Sequence, residues 1–193
     1  SYSSFAVALD AGITYHNKEK LFAASLVIKN LGTQITTYYP NGEREPLPFE
    51  ILLGLSLKLK HAPFRFYIVG EHLEKWDLTY KTDKDKENEV DPFTGEEIKE
   101  DKLNVFLDKF MRHIIVGTEL NITDNFMLRF GYNYRRRQEM KIDTKIGTVG
   151  FSWGAGIKIY KFHISYARAT FHQAGAPNHF SISMNLSEFY KKF

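Results

Sequence analysis

The chain has 193 residues, enough to close a single core or a single barrel and too few for a multi-domain enzyme. Its 16 Phe, 11 Tyr and 2 Trp lean towards β structure and exclude disorder, while a formal charge of +3 with interspersed signs leaves no basis for nucleic-acid binding. The absence of cysteine removes disulfides, thiolate nucleophiles, thiolate zinc sites and iron–sulfur ligation. No run approaches 18 apolar residues, so no transmembrane helix is expected, and residues 1–9 lack the basic and apolar regions of a signal peptide.

Residues 5–15 alternate with period 2. Phe5, Val7, Leu9, Ala11, Ile13 and Tyr15 form one face, and Ala6, Ala8, Asp10, Gly12 and Thr14 the other, which predicts a strand. Beyond a polar connection at 16–20 the apolar face resumes as Phe22, Ala24, Leu26 and Ile28, completing a hairpin. Residues 30–48, with Asn41-Gly42 and several prolines, read as a long turn-rich connection. A third strand sets Phe49, Ile51, Leu53, Leu55, Leu57 and Leu59 against small or charged residues, and a fourth runs from Phe64 to about Leu73. Residues 81–102 hold nine acidic and five basic side chains, so 75–102 reads as an exposed charged loop. Leu103, Phe106, Leu107 and Phe110 then fall at i, i+3, i+4 and i+7, a short amphipathic helix or a strand-entry segment packed beside a barrel rim.

Period 2 returns with Ile114, Val116, Thr118, Leu120 and Ile122, a connection at Thr123-Asp124-Asn125, and Phe126, Leu128, Phe130, Tyr132 and Tyr134. Antiparallel pairing then places 122 opposite 126, 120 opposite 128 and 118 opposite 130. Phe151, Trp153, Ala155, Ile157 and Ile159 turn at Tyr160-Lys161 into Phe162, Ile164, Tyr166 and Arg168, which sets Lys158 against His163 and Ile159 against Phe162. Phe180, Ile182, Met184 and Leu186 make the last strand.

These segments amount to about eight strands, mostly of eight to twelve residues. That length crosses roughly 25–30 Å of hydrocarbon at a tilt of about 45°, whereas soluble strands average about five or six residues. The expected fold class is all-β, an antiparallel transmembrane β-barrel, with 1–193 as one outer-membrane domain. Its apolar face meets lipid, its polar face lines the lumen, and the alternation explains a mean hydropathy of only -0.35. The rival is a soluble β fold. It fits less well, because so many positions opposite the apolar residues are Gly, Ala or Ser rather than long polar side chains. Tyr15, Tyr134, Tyr160 and Phe171 fall at strand ends, where aromatic girdles form.

The chemistry inventory is sparse. His16, His61, His72, His113, His163, His172 and His179 lie mainly at strand ends or in loops without metal-ligand spacing, although His172 and His179 can meet across one loop. Asp10, Glu50, Glu71 and Glu119 are expected to point inward and pair with Arg65, Arg129, Lys58 or Lys158. Neither a phosphate loop nor a nucleophile elbow occurs, so no enzyme activity, cofactor or metal is expected. The one concentrated positive patch is Arg135-Arg136-Arg137 with Lys141 and Lys145, at a strand end. It reads either as a solvated loop or as a site for lipopolysaccharide phosphates or an acidic partner.

Three stretches have an irregular wording beyond alternation: Trp153-Gly154-Ala155-Gly156-Ile157-Lys158, Ile164-Ser165-Tyr166-Ala167-Arg168-Ala169-Thr170-Phe171-His172 and Gly175-Ala176-Pro177-Asn178-His179-Phe180. Together with Arg44-Glu45-Pro46-Leu47-Pro48-Phe49 and Pro63-Phe64-Arg65-Phe66, they resemble the C-terminal part of PorQ-type proteins of the PorV/PorQ family, outer-membrane components of the type IX secretion system in Bacteroidetes. The resemblance implies a FadL-like barrel of fourteen strands, of which this chain is the C-terminal portion. It implies a noncatalytic, outer-membrane member of a cell-surface attachment complex. Its partners would be outer-membrane lipid, a surface protein recognising anionic lipopolysaccharide that it anchors, a sortase-like protease and a shuttle barrel. The loops 75–102 and 135–145 are the expected docking segments. An independent outer-membrane channel or adhesin is the alternative.

Overall fold

Alternation becomes nine β-strands in the computed structural model, which describes residues 3–17, 19–39, 42–80, 101–140, 147–171 and 175–186. The strands are β1 (Phe5–Asn17), β2 (Phe22–Thr36), β3 (Glu50–Lys58), β4 (Phe64–Gly70), β5 (Ile114–Thr123), β6 (Phe126–Asn133), β7 (Phe151–Ile159), β8 (Phe162–Ala169) and β9 (Asn178–Met184). Among the described residues two helices, α1 (Lys102–Arg112) and α2 (Tyr134–Met140), interrupt the series. All nine strands pair antiparallel with their sequence neighbours in one sheet of order β1 to β9. The turns at 18–21, 59–63, 124–125 and 160–161 therefore lie at one end, and the long connections 37–49, 71–113, 134–150 and 170–177 at the other.

Much of the expected register is present. Leu120 faces Leu128, Thr118 faces Phe130, Lys158 faces His163 and Ile159 faces Phe162. Residues 122 and 126 do not pair, because the ladder skips Ile122 and sets Thr123 against Phe126, a bulge that lets the chain turn. A second irregularity hides half of β2. Leu9 pairs with Leu31 while Ala11 pairs with Ile28, and Asn30, at φ 56°, donates its N–H to Asp10 Oδ1 at 2.7 Å. The apolar parity thus jumps from Ile28 to Leu31, and the supposed connection from residue 30 continues as strand to Thr36. Gly32 sits where a Cβ would press into the Val7 carbonyl and the Ala8 backbone. The segment at 101–112 is a helix, with the Asp101 side chain accepting the Leu103 N–H at 3.1 Å and Lys109 and Arg112 in the last turn, where the helix dipole favours cations.

Among the described residues β1 pairs only with β2 and β9 only with β8, so the sheet is open. This corrects the closed transmembrane β-barrel, both as about eight strands and as part of a fourteen-stranded one. With nine strands in antiparallel succession, β1 and β9 run in the same direction, and closure would need a parallel seam; single-chain bacterial outer-membrane barrels use even strand numbers. In hydrocarbon each unpaired backbone group on those edges would cost several kcal/mol. The PorV/PorQ resemblance, the outer-membrane localisation, the anchoring role in the type IX attachment complex and the alternative channel or adhesin all presuppose closure, and the open sheet overturns them with it.

The distribution of burial is inverted relative to a globular domain. Val149 is the single buried apolar side chain among the described residues, while Gln34, Glu71, His113, Glu119 and Asn133 are buried polar ones. The chain exposes 15120 Å², where a compact chain of this mass exposes about 9,500 Å². The surplus comes with a sheet face, Val7, Ile13, Leu55, Phe66, Phe130, Trp153 and Ile182 among its residues, that no second layer covers.

Candidate functional site

The polar side chains collect at the end of the sheet that carries the long connections. Glu71 follows β4, and its N–H donates to the His113 carbonyl at 2.8 Å, tying the start of the long connection to its finish. His113 caps α1. Its Nδ1 lies 2.9 Å from the Glu71 carbonyl oxygen, its Nε2 lies 3.0 Å from that of Trp76, and its ring stacks on the Trp76 indole at 5.8 Å. Trp76 also meets Phe106 of α1 at 5.4 Å. The connection is thereby folded back over the sheet end, and Lys109 of α1 bridges to Asp77 at 2.6 Å.

From the far side, Asn133 at the end of β6 donates from Nδ2 to Glu71 Oε1 at 3.1 Å, and Arg135 of α2 approaches the same oxygen at 3.5 Å. Asn133 has a second task. Its Oδ1 accepts the Arg136 N–H at 2.9 Å, an N-cap that starts α2 at Tyr134, where alternation predicted further strand. Tyr134 then donates its hydroxyl to Asp108 of α1 at 2.8 Å, and Arg112 holds the other Asp108 oxygen at 2.7 Å. At the start of β3, Glu50 meets Lys29 at 3.5 Å and His72 Nε2 at 3.7 Å.

Electrostatics follow these contacts. Burial pushes the Glu74 carboxyl up, and the Ile51 N–H and the His72 ring outweigh it, so it titrates below its ordinary range. Lys109 and the Thr79 hydroxyl and N–H hold Asp77 well below the usual carboxylate range. Burial, followed by the Asp108 carboxylate, raises the Tyr134 phenol. Farther along the polar face, Glu119 receives Arg129 Nε at 2.8 Å. Burial pushes Glu119 up; Arg129, Asn121 and Arg65 more than offset that and leave it below its ordinary value.

The expected inward carboxylates are thus partly paired as foreseen. Glu119 takes Arg129, whereas Glu50 takes Lys29 and Glu71 takes Asn133 and Arg135. The arginine run is helical and divided among three supports. Arg135 faces Glu71, Arg136 lies over the Phe171 ring at 3.8 Å, and Arg137 donates to the Gly147 carbonyl at 2.6 Å. Burial draws the Arg136 guanidinium below its ordinary value. Lys141 and Lys145, residues 81–100 of the charged loop, and His172 lie outside the described residues. Sequence reading missed the meeting of Glu50, Glu71 and His72, yet register alone foretells it: Leu53 pairs with Gly70, so residue 50 comes level with the chain just past β4.

No protein-family model matches the chain, and no curated protein matches it significantly. The open sheet and its rim therefore carry the functional argument themselves.

Proposed function

We propose that the chain is a noncatalytic assembly module, a sheet made to be completed by association, and that its occupant is a second copy of itself. The observation that carries this is the β1 edge. It offers thirteen residues, Phe5–Asn17, containing no Lys, Arg or Pro, the residues by which edge strands are ordinarily guarded against pairing. Asp10 is its one acidic side chain, and that carboxylate is already engaged by the Asn30 N–H. A two-fold axis beside β1 pairs it antiparallel with its copy, the isologous arrangement that closes without leading to fibres.

The side chains along that edge support the same reading: Val7, Leu9, Ile13 and Tyr15 are all exposed, and pairing about Ala11 sets Val7 against the copy's Tyr15 and Leu9 against its Ile13 as apolar cross-strand neighbours. Lipid acyl chains enter as the competing occupant.

The test exploits the cysteine-free sequence. Ala11→Cys, at the middle of β1 where the two-fold sets residue 11 opposite its copy, is expected to give a disulfide-linked dimer under mild oxidation, and ultracentrifugation of the unaltered chain a dimer at micromolar concentration. A monomer stable without detergent overturns the proposal. So does insertion into phospholipid vesicles in preference to dimerisation, which would make acyl chains the occupant.

A further inference from the structure

We propose that Glu50, Glu71 and His72 form a divalent metal site of the zinc class at the sheet end where β3 begins and β4 finishes. One donor atom from each of the three, a carboxylate oxygen from each glutamate and a ring nitrogen from the histidine, lies within 4.8 Å of the other two. None of the three is fully exposed. Glu50 opens β3 and is placed by the β3–β4 register, while Glu71 is pinned by the His113 carbonyl through its own N–H. His72 has φ 53°, in the left-handed region where histidine is among the enriched side chains, and this turns its ring back towards β3.

The orientation of that ring points to a metal ion. Glu74 Oε1 lies 3.0 Å from His72 Nδ1, and Glu74 is itself fixed by the Ile51 N–H at 2.9 Å. A carboxylate there accepts a hydrogen bond from the Nδ1–H and leaves the Nε2 lone pair outward. That lone pair faces Glu50 Oε1 at 3.7 Å, with the Glu71 carboxylate beside it. Electron-rich atoms converging in this way call for a cation among them. A histidine bound to a metal through one nitrogen, with a carboxylate on the other, is the usual outer-shell arrangement of such sites. Three carboxylates surround the ring against two neighbouring cations, Lys29 and Arg135, each 3.5 Å from its oxygen.

The donor set narrows the choice of ion. Calcium and magnesium take all-oxygen shells, whereas an imidazole with two carboxylates suits zinc, and three protein ligands leave one position for water. Bound there, the ion would clip the first residue of β3 to the chain leaving β4 and, through Glu71, to Asn133 at the end of β6.

The test uses the full chain stripped with a chelator and titrated with Zn²⁺, then with Co²⁺ as a coloured substitute. One Zn²⁺ per chain, visible Co²⁺ absorption bands and a melting temperature raised by several degrees are expected. His72→Asn tolerates the left-handed backbone; it should keep the β-sheet signal while abolishing the bands and weakening Zn²⁺ binding by about 100-fold or more. Glu74→Gln leaves all three ligands in place and should weaken binding by roughly 10- to 100-fold through loss of ring orientation. No stoichiometric uptake overturns the site. Uptake unchanged in both His72→Asn and Glu50→Gln overturns it equally and leaves an adventitious ion only.

Discussion

The apolar face of the sheet and the polar rim at the end bearing its long connections hold together on opposite terms. On the face, Phe130 and Phe180 keep 52% and 67% of their surface exposed, so in a single chain they forgo much of the roughly 1.5–3 kcal/mol that a buried phenylalanine contributes. At the rim the enclosed side chains are Glu71, His113 and Asn133, and each is hydrogen-bonded. The single chain is therefore ordered by its backbone ladders and a polar network, and its apolar stabilisation is deferred to association. A water-soluble domain divides the work the other way round.

The most forceful way to break this comparison is Glu71→Ala. It strips the acceptor from buried Asn133 and from Arg135 and should cost about 3 kcal/mol in urea denaturation; a loss under about 1 kcal/mol would show that the rim is not the ordering element. Gly32→Ala comes next. The new Cβ presses into the β1 backbone at the bulge, and a loss of about 2 kcal/mol is expected from the melting temperature, measured on chains kept dissociated so that only the ladder is probed.

Acid sharpens the contrast at Glu119. Its carboxyl titrates below its ordinary value in the fold, so its contribution is complete above the unfolded carboxyl's range and is lost as pH falls through the lower, folded-state value. Glu119→Gln should flatten that acid limb by about 1 kcal/mol at most, because half-exposed Arg129 is screened by solvent. Ile13→Ala on β1 is the smallest and most diagnostic change. In dissociated chains it should cost under about 1 kcal/mol, against roughly 2–5 kcal/mol for an enclosed isoleucine, yet it should weaken the dimer about tenfold by dilution.

Strand positions and faces were legible because period 2 is a local property, visible in Phe151 to Ile159 and again in Phe162 to Arg168. What local alternation cannot carry is whether the first and last strands meet. That depends on strand parity and tilt summed over the whole sheet, and a face apolar enough for lipid is also apolar enough for another sheet. The parity jump between Ile28 and Leu31 concealed the second half of β2 for a related reason: a bulge at Asn30 resets the alternation, so the sequence shows a break where the ladder continues. At the rim, alternation makes Glu71 an inward carboxylate of the fourth strand and leaves His72 at a strand end, with nothing local to join them. Their meeting with Glu50 is a matter of register, available from Leu53 and Gly70 once the hairpin is drawn. The switch to helix at Tyr134 has a side-chain cause, the Asn133 cap, that hydrophobic periodicity does not register.

The strictly successive strand order also governs how the chain reaches its structure. Four of the eight pairings join neighbours across turns of two to five residues, so those hairpins can zip at little entropic expense. The junction of β4 with β5 is different, because 43 residues, 71–113, separate its partners. Each doubling of a loop adds about 0.6 kcal/mol to closure, so bringing these strands together costs roughly 2 kcal/mol more than closing a five-residue turn. Folding is thereby divided into two early halves, β1–β4 and β5–β9, and the bond between the Glu71 N–H and the His113 carbonyl becomes the seam on which they join.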